Sequence, residues 1–285
     1  MVKKKIQFKV EKIKNKSPSL EIWINNSLHH FTRDIDIIEY TNQEITKMIK
    51  KDTKEKIETQ EKKQKWTNKD IKEYRRVLDN WSLEKEDKLE TKNPVVVNFL
   101  SAVVTGHMRT MQIPTFVREM SLVYLVTNFE GFLEEIIKDV YRHDNRNLKS
   151  KKELRFEEIL ECSDMKELIE RLASKEVTQI LNEDIEKIGK YLEELVGIKL
   201  TSKQNWAKFK ELFYRRNVII HNDARVNPTY VRKTGYIGTE TRLKTDETYI
   251  QDAIKIFKSY SKLIVSQIKR KYKKTLKQEK MKLEK

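Results

Sequence analysis

The chain has 285 residues, enough to bury one large core or two modest ones. Charged residues make up 36% and apolar ones 38%, with only 6 Gly and 4 Pro, which suits helices and falls short of the turn residues a many-stranded sandwich needs. The single cysteine, Cys162, rules out a disulfide within the chain and a thiolate zinc cage, and fits a reducing compartment.

The net charge of +16 is unevenly placed: residues 1–16 hold seven Lys against one Glu, and residues 254–285 hold twelve Lys or Arg against two Glu. The middle of the chain is therefore balanced. Basic ends attract polyanions such as RNA or DNA, although a solvated lysine-rich surface has the same composition. The basic start is not followed by the apolar stretch of a signal peptide, and the longest apolar runs, residues 94–104 and 122–126, are too short to cross a bilayer. The expectation is a cytoplasmic protein with no membrane partner.

In chain order, Ile6, Phe8 and Val10 alternate with charged residues, and Leu20, Ile22 and Ile24 do so more loosely, which reads as a short β-hairpin around a Lys14–Ser19 turn. Ile35, Ile38, Ile45 and Ile49 suit one face of a helix that leads into a charged stretch, residues 50–65, either an exposed helix or a linker. Thr67 and Asp70 form a capping-box pattern opening a helix through Ile71, Tyr74, Leu78 and Trp81. Pro94 starts an apolar helix to about Met108, and Pro114 marks the next boundary. The expected division is an N-terminal region, 1–113, and a helical C-terminal domain, 114–285. Within the latter, 116–141 is a long apolar helix, and helical stretches begin near Arg155, Asp164 and Val177, with Gly197 as a stop. Another helix covers Trp206–His221, residues 223–244 are irregular or a hairpin, and a final helix from Asp246 carries Ile250, Ile254, Phe257, Ile264 and Ile268 on one face before fading into a basic tail. The fold class is mainly α.

Polar residues interrupt two apolar stripes. On the 206–221 helix, Phe209, Leu212, Phe213 and Ile220 define a buried face, with Arg216 in its middle and Asn217 and His221 along its edge, while Arg215 points away as an ordinary surface charge. On the 116–141 helix, Glu130 falls among Val126, Leu133, Ile137 and Val140, a natural counter-ion for Arg216 because an unpaired internal charge costs several kcal/mol. The adjacent Gly131 suggests a close helix–helix crossing. Arginine offers a permanent charge and a donor fork suited to phosphate, and histidine exchanges protons near neutrality. The pair suits phosphodiester cleavage in which an RNA 2′-OH attacks its own phosphate, a reaction needing no metal or cofactor. An Arg followed five residues later by His also arises by chance in a chain this rich in Arg. A structural Arg–Glu pair with His221 at a helix end accounts for the same residues.

The longer string Phe213-Tyr-Arg-Arg-Asn-Val-Ile-Ile-His-Asn-Asp-Ala-Arg-Val-Asn-Pro-Thr-Tyr230 resembles the signature of the HEPN superfamily (higher eukaryotes and prokaryotes nucleotide-binding), and more narrowly the RiboL-PSP-HEPN branch. In that branch the His is followed by a polar turn, a Val and a Tyr, here Asn222–Val226 and Tyr230. The branch commonly has Gly in this turn, and this sequence has Ala224 and Arg225. The upstream string Leu125-Val-Thr-Asn-Phe-Glu-Gly-Phe-Leu-Glu134 is similar to the family's first core helix, which often carries a Glu at the position of Glu130. The resemblance covers roughly residues 116–270. It implies a C-terminal HEPN-like helical bundle that dimerises to bring two Arg–His pairs into one cleft, with Arg216 and His221 catalytic and Asn217, Glu130, Asn222 and Tyr230 supporting. It also implies a metal-independent endoribonuclease acting on RNA, often a toxin or an abortive-infection effector held in check by an antitoxin or a phage-derived regulator. Many members are inactive and only bind RNA or nucleotides, and that is the alternative here. A DNA-binding regulator rests only on the basic ends. His29 and His30 are adjacent and read as surface residues, His107 and His143 need no function, and the four Trp read as core anchors.

Overall fold

A computed structural model describes residues 19–62, 65–79, 91–148, 159–273 and 275–276. The described residues are mainly helical: α1 (Leu20–Glu61), α2 (Asn68–Asp79), α3 (Pro94–His143), α4 (Met165–Leu181), α5 (Ile185–Val196), α6 (Trp206–Asn222), the short α7 (Pro228–Thr234) and α8 (Glu247–Lys271), with single 3-10 turns at Asn145–Asn147 and Leu200–Ser202. The only β pairing among them is one isolated antiparallel bridge, Arg225 to Arg242. None of these helices is long and apolar enough to cross a membrane.

Local chemistry sets most of the helix ends. Thr67 and Asp70 form a reciprocal box, Asp70 Oδ2 accepting from the Thr67 backbone N–H at 2.9 Å and Thr67 Oγ1 accepting from the Asp70 N–H at 3.3 Å. Asn93 caps α3 with Pro94 behind it in the first turn, Asp164 caps α4, and Asp246 caps α8. Gly197 ends α5 at φ 77°, a left-handed backbone that glycine adopts without a Cβ penalty.

α3 is the central pillar. α1 runs antiparallel to it, since Phe31 stacks on Phe132 at 5.0 Å while Asn42 Nδ2, eleven residues later, donates to Ser121 Oγ at 2.7 Å. Phe129 is the hub of the core, with ring centroids 5.6 Å from Phe31 on α1, 5.4 Å from Phe209 on α6 and 5.1 Å from Phe257 on α8. Phe209 in turn stacks flat on Tyr260 at 3.9 Å. One apolar core thus takes in α1, α3, α4, α5, α6 and α8, including Leu20, Ile24, Ile35 and Ile38 from the segment that the sequence groups with the N-terminal region. A second, small cluster joins Trp66, Tyr74, Val77, Val96, Phe99 and Leu100.

Several expectations are corrected. Leu20, Ile22 and Ile24 lie in the first turns of α1, not in a strand, because Leu20, Ile24, Phe31, Ile35 and Ile38 repeat at helical spacing against α3; residues 6–18 of the expected hairpin lie outside the described residues. α1 begins at Leu20, well before Ile35, where the sequence periodicity reads as helical, and continues to Glu61. α3 passes through Pro114 without a break. A mid-helix proline forfeits one backbone bond and costs about 3 kcal/mol, which the apolar packing of the following turns against α1, α6 and α8 offsets. Val177 is a fully buried interior residue of α4, and the next helix starts at Ile185. The start expected near Arg155 lies outside the described residues. Residues 223–244 are neither a hairpin nor wholly irregular: they contain α7 and the single bridge.

Candidate functional site

α6 and α3 are antiparallel where the sequence motif lies. At one end of the contact Arg216 Nη2 donates to Glu130 Oε1, and at the other Arg242 reaches both Glu119 on α3, at 3.2 Å, and Asp223 just past α6, at 3.4 Å. The last two turns of α6, with Asn217, Ile220 and His221, therefore run beside the 119–130 stretch of α3. The Arg216–Glu130 pair is the one that the interrupted stripes predict. Each side chain keeps about a fifth of its surface exposed, 20% and 22%, so the pair sits at the rim of the core and not inside it. Burial raises the Glu130 carboxyl above its ordinary range, opposed by the charge and the hydrogen bond of Arg216. Arg216 Nε is buried and has no acceptor.

His221 lies in the last turn of α6, exposed, with no hydrogen bond or ring contact among the described residues. Five residues of helix separate it from Arg216 by about 140° and ~7.5 Å of rise, so within one chain the two groups face different directions. Asn217 is also exposed. Asn222 donates its side-chain N–H to the Arg225 carbonyl at 2.6 Å and so shapes the turn that follows. In that turn Asp223 and Ala224 both adopt left-handed backbone, φ 50° and 56°. Ala224 thus occupies a conformation that favours glycine, at a cost of about 1–2 kcal/mol, and the Ala224 N–H and C=O bond to Val218 and Leu243.

Tyr230 is not brought to Arg216. It is buried, and its hydroxyl donates to Glu211 on the side of α6 away from Glu130. There the structure holds a polar network that the sequence pattern missed. Glu211 accepts from Tyr230, from Tyr249 at 2.5 Å and from Arg215 at 2.7 Å, while Arg215 also donates to the Lys244 carbonyl at 2.8 Å and lies over the Tyr249 ring at 4.0 Å. Arg215 is only 11% exposed, and the reading of it as a surface charge is corrected. Burial works against its charge, but the Tyr249 and Glu211 oxygens outweigh burial and hold its pKa above the ordinary value. The available signal was Tyr249 and Tyr230, aromatics with a polar end on elements flanking α6; their partner is visible only once those elements are packed.

Ile220, expected in the buried face, is 48% exposed. The turn after α6 folds back over Val218 and Ile219, so the buried arc rotates away from Ile220 in the final turns. Exposed apolar side chains continue on α3, where Ile113, Phe116, Met120 and Tyr124 follow one another at spacings of three and four. Gly131 is not at a close crossing. A Cβ there would meet nothing within 4 Å, and the residue helps to floor an open groove of about 630 Å³ between α1 and α3, walled by Trp23, His30 and Phe132. His29 and His30 are exposed as expected, and Trp66 and Trp206 pack on aromatic neighbours as anchors. Among the described residues no three His, Cys, Asp or Glu side chains are grouped to hold a metal ion.

Comparison with protein-family models, with curated proteins and with solved structures finds no match for this chain.

Proposed function

We propose that the chain is a metal-independent endoribonuclease of the HEPN type that acts as a homodimer, with Arg216 and His221 from both copies lining one composite cleft. The observation that carries this reading is the contrast on α6 between an anchored guanidinium and an unencumbered imidazole. Glu130 fixes Arg216 at the rim of the core while its charge still reaches solvent, and His221 stands free on the same helix end. A second copy supplies what one chain lacks, because Arg216 and His221 diverge on their own helix. The exposed Ile220 on α6 and the exposed Met120 and Tyr124 on α3 are apolar side chains for that copy to cover.

In this reading the RNA 2′-OH attacks the adjacent phosphorus and the bond to the 5′ oxygen breaks, leaving a cyclic phosphate and a 5′-hydroxyl. Arg216 stabilises charge on the phosphoryl oxygens, and His221 takes or supplies the proton. Asn217, exposed next to Arg216, is placed to contact the strand, and the basic C-terminal residues add sequence-independent affinity for it. A toxin or abortive-infection role, held in check by an antitoxin or a phage-derived regulator, follows from the HEPN resemblance.

The test is cleavage of RNA by the purified chain and by His221→Ala, with the oligomeric state measured on both. His221 has no partner to lose, so the variant keeps its melting temperature and dimer while cleavage falls by at least about 100-fold. Equal cleavage by the variant removes the assignment. A second reading, a non-catalytic RNA- or nucleotide-binding module, draws on the Arg216–Glu130 pair itself, which braces α6 against α3. It predicts no cleavage at any protein concentration.

A further inference from the structure

A cavity of about 600 Å³ opens between α3 and the segment 239–246, with Arg242 in its wall. Its wall contains three polar side chains that are more than nine-tenths buried: Arg118, 7% exposed, Glu119, 6%, and Thr245, 2%. Their partners differ. Glu119 is held by Arg242, and burial pushes its carboxyl upward, toward the neutral form. Of the other acids around the cavity, Glu240 pairs with Lys244 at 3.5 Å, and Asp246 accepts from the Tyr249 N–H as the cap of α8. Arg118 touches no carboxylate. Its Nε donates to the Thr245 carbonyl at 2.8 Å and its Nη2 lies 3.5 Å from Thr115 Oγ1, which leaves Nη1 without an acceptor. The buried Thr245 Oγ1 has no partner either.

A guanidinium packed this deeply with no carboxylate beside it favours an anion supplied from outside. Beside it stands the hydroxyl of Thr115, with Thr241 in the same wall, whereas the Thr245 hydroxyl is closed off from the cavity. A planar donor fork beside a hydroxyl suits a phosphate, and the volume admits a nucleotide-sized group. The site is coupled to the motif by two contacts, Arg242 to Asp223 at 3.4 Å and the Leu243 N–H to the Ala224 carbonyl at 2.8 Å.

We infer that this cavity is a second phosphate site, in which Arg118 and Thr115 hold a phosphate of the same RNA strand that the Arg216 face cuts. The strand assignment rests on the function proposed above; the phosphate site does not. The experiment follows the melting temperature of the full chain as inorganic phosphate is titrated at constant ionic strength, with chloride as the reference ion. The native chain shows a saturable rise that chloride does not produce, Arg118→Gln loses it, and Thr115→Val needs about tenfold more phosphate for half the effect. No rise beyond that in chloride, or the same rise in both variants, overturns the site. Should Arg118→Gln fail to fold, Thr115→Val, which keeps the side-chain shape and the Arg118 bond to the Thr245 carbonyl, decides alone.

The source of the phosphate is read in a His221→Ala background, where RNA stays intact. Arg118→Gln there weakens binding of a short single-stranded RNA about tenfold and lowers the salt slope of log affinity by about 0.7. A lost phosphate response with unchanged RNA affinity assigns the cavity to a small phosphate ligand and overturns the strand. If the native chain cuts no RNA, the phosphate titration still stands or falls by itself.

Discussion

The two sides of α6 use adjacent arginines in opposite ways. Arg215 is enclosed by Glu211, Tyr230, Tyr249 and the Lys244 carbonyl, with Nε and Nη1 both donating inside the protein. Arg216, one residue later, has a single partner, Glu130, and faces a rim where Asn217, Ile220 and His221 are open. A buried network whose members are all satisfied fixes structure, whereas a half-anchored charge next to unsatisfied groups is what a ligand or a second chain completes. The difference teaches that an arginine's value for function lies in what its surroundings leave undone.

The comparison breaks first on the open side. Ile220→Asp places a charge on the face proposed to bind a second copy; RNA cleavage falls at least about 100-fold and the solution mass shifts from dimer to monomer, while the melting temperature changes little because Ile220 is half exposed. Cleavage retained by a monomeric variant would break the link between the open side and activity. On the closed side, Arg215→Ala leaves Glu211 buried without its counter-ion and costs about 3 kcal/mol in urea unfolding. A cost no greater than that of Arg216→Ala would erase the distinction between the two sides.

A buried carboxylate with a less complete set of partners sharpens it further. Asp139 is buried on α3, and burial raises its pKa to about 6 although Arg142, itself 40% exposed, pairs with it at 2.9 Å. A carboxyl whose folded pKa exceeds its unfolded value holds more protons when folded, so its contribution is full at low pH and is lost as pH rises from about 4 through about 6. Asp139→Asn therefore gains about 2 kcal/mol over the native chain at pH 7 and nothing at pH 4, measured as the difference between their stability–pH curves. The smallest effect belongs to the rim pair: a double-mutant cycle with Arg216→Gln and Glu130→Gln gives a coupling of about 1 kcal/mol, since both partners keep a fifth of their surface in water.

Much of this was legible in the residues. Stripe interruptions at Glu130 and Arg216 predict a cross-helix pair because a charge on an apolar face needs a counter-charge, and the two helices then meet there. The capping box at Thr67, the cap at Asp164 and the stop at Gly197 were readable because they depend on side chains within a few residues of the helix end. Ile220 and Arg215 were misread for one reason. A helical wheel gives the angle of a side chain but not which neighbour covers that angle, and α6 is covered by α3 on one side and by Tyr230 and Tyr249 on another. The Arg118 cavity was invisible altogether, since Arg118 and Thr245 are 127 residues apart.

By itself the sequence determined the helical class, most helix ends and the identity of the charged groups on apolar faces, because each depends on periodicity and on short-range hydrogen bonding. Only the tertiary structure decided that α3 runs on through Pro114, that α1 shares its core and that Arg215, not Arg216, is the enclosed arginine. Those outcomes depend on which surfaces distant segments cover, and burial is a property of the assembled neighbours and not of a residue's own position along its helix.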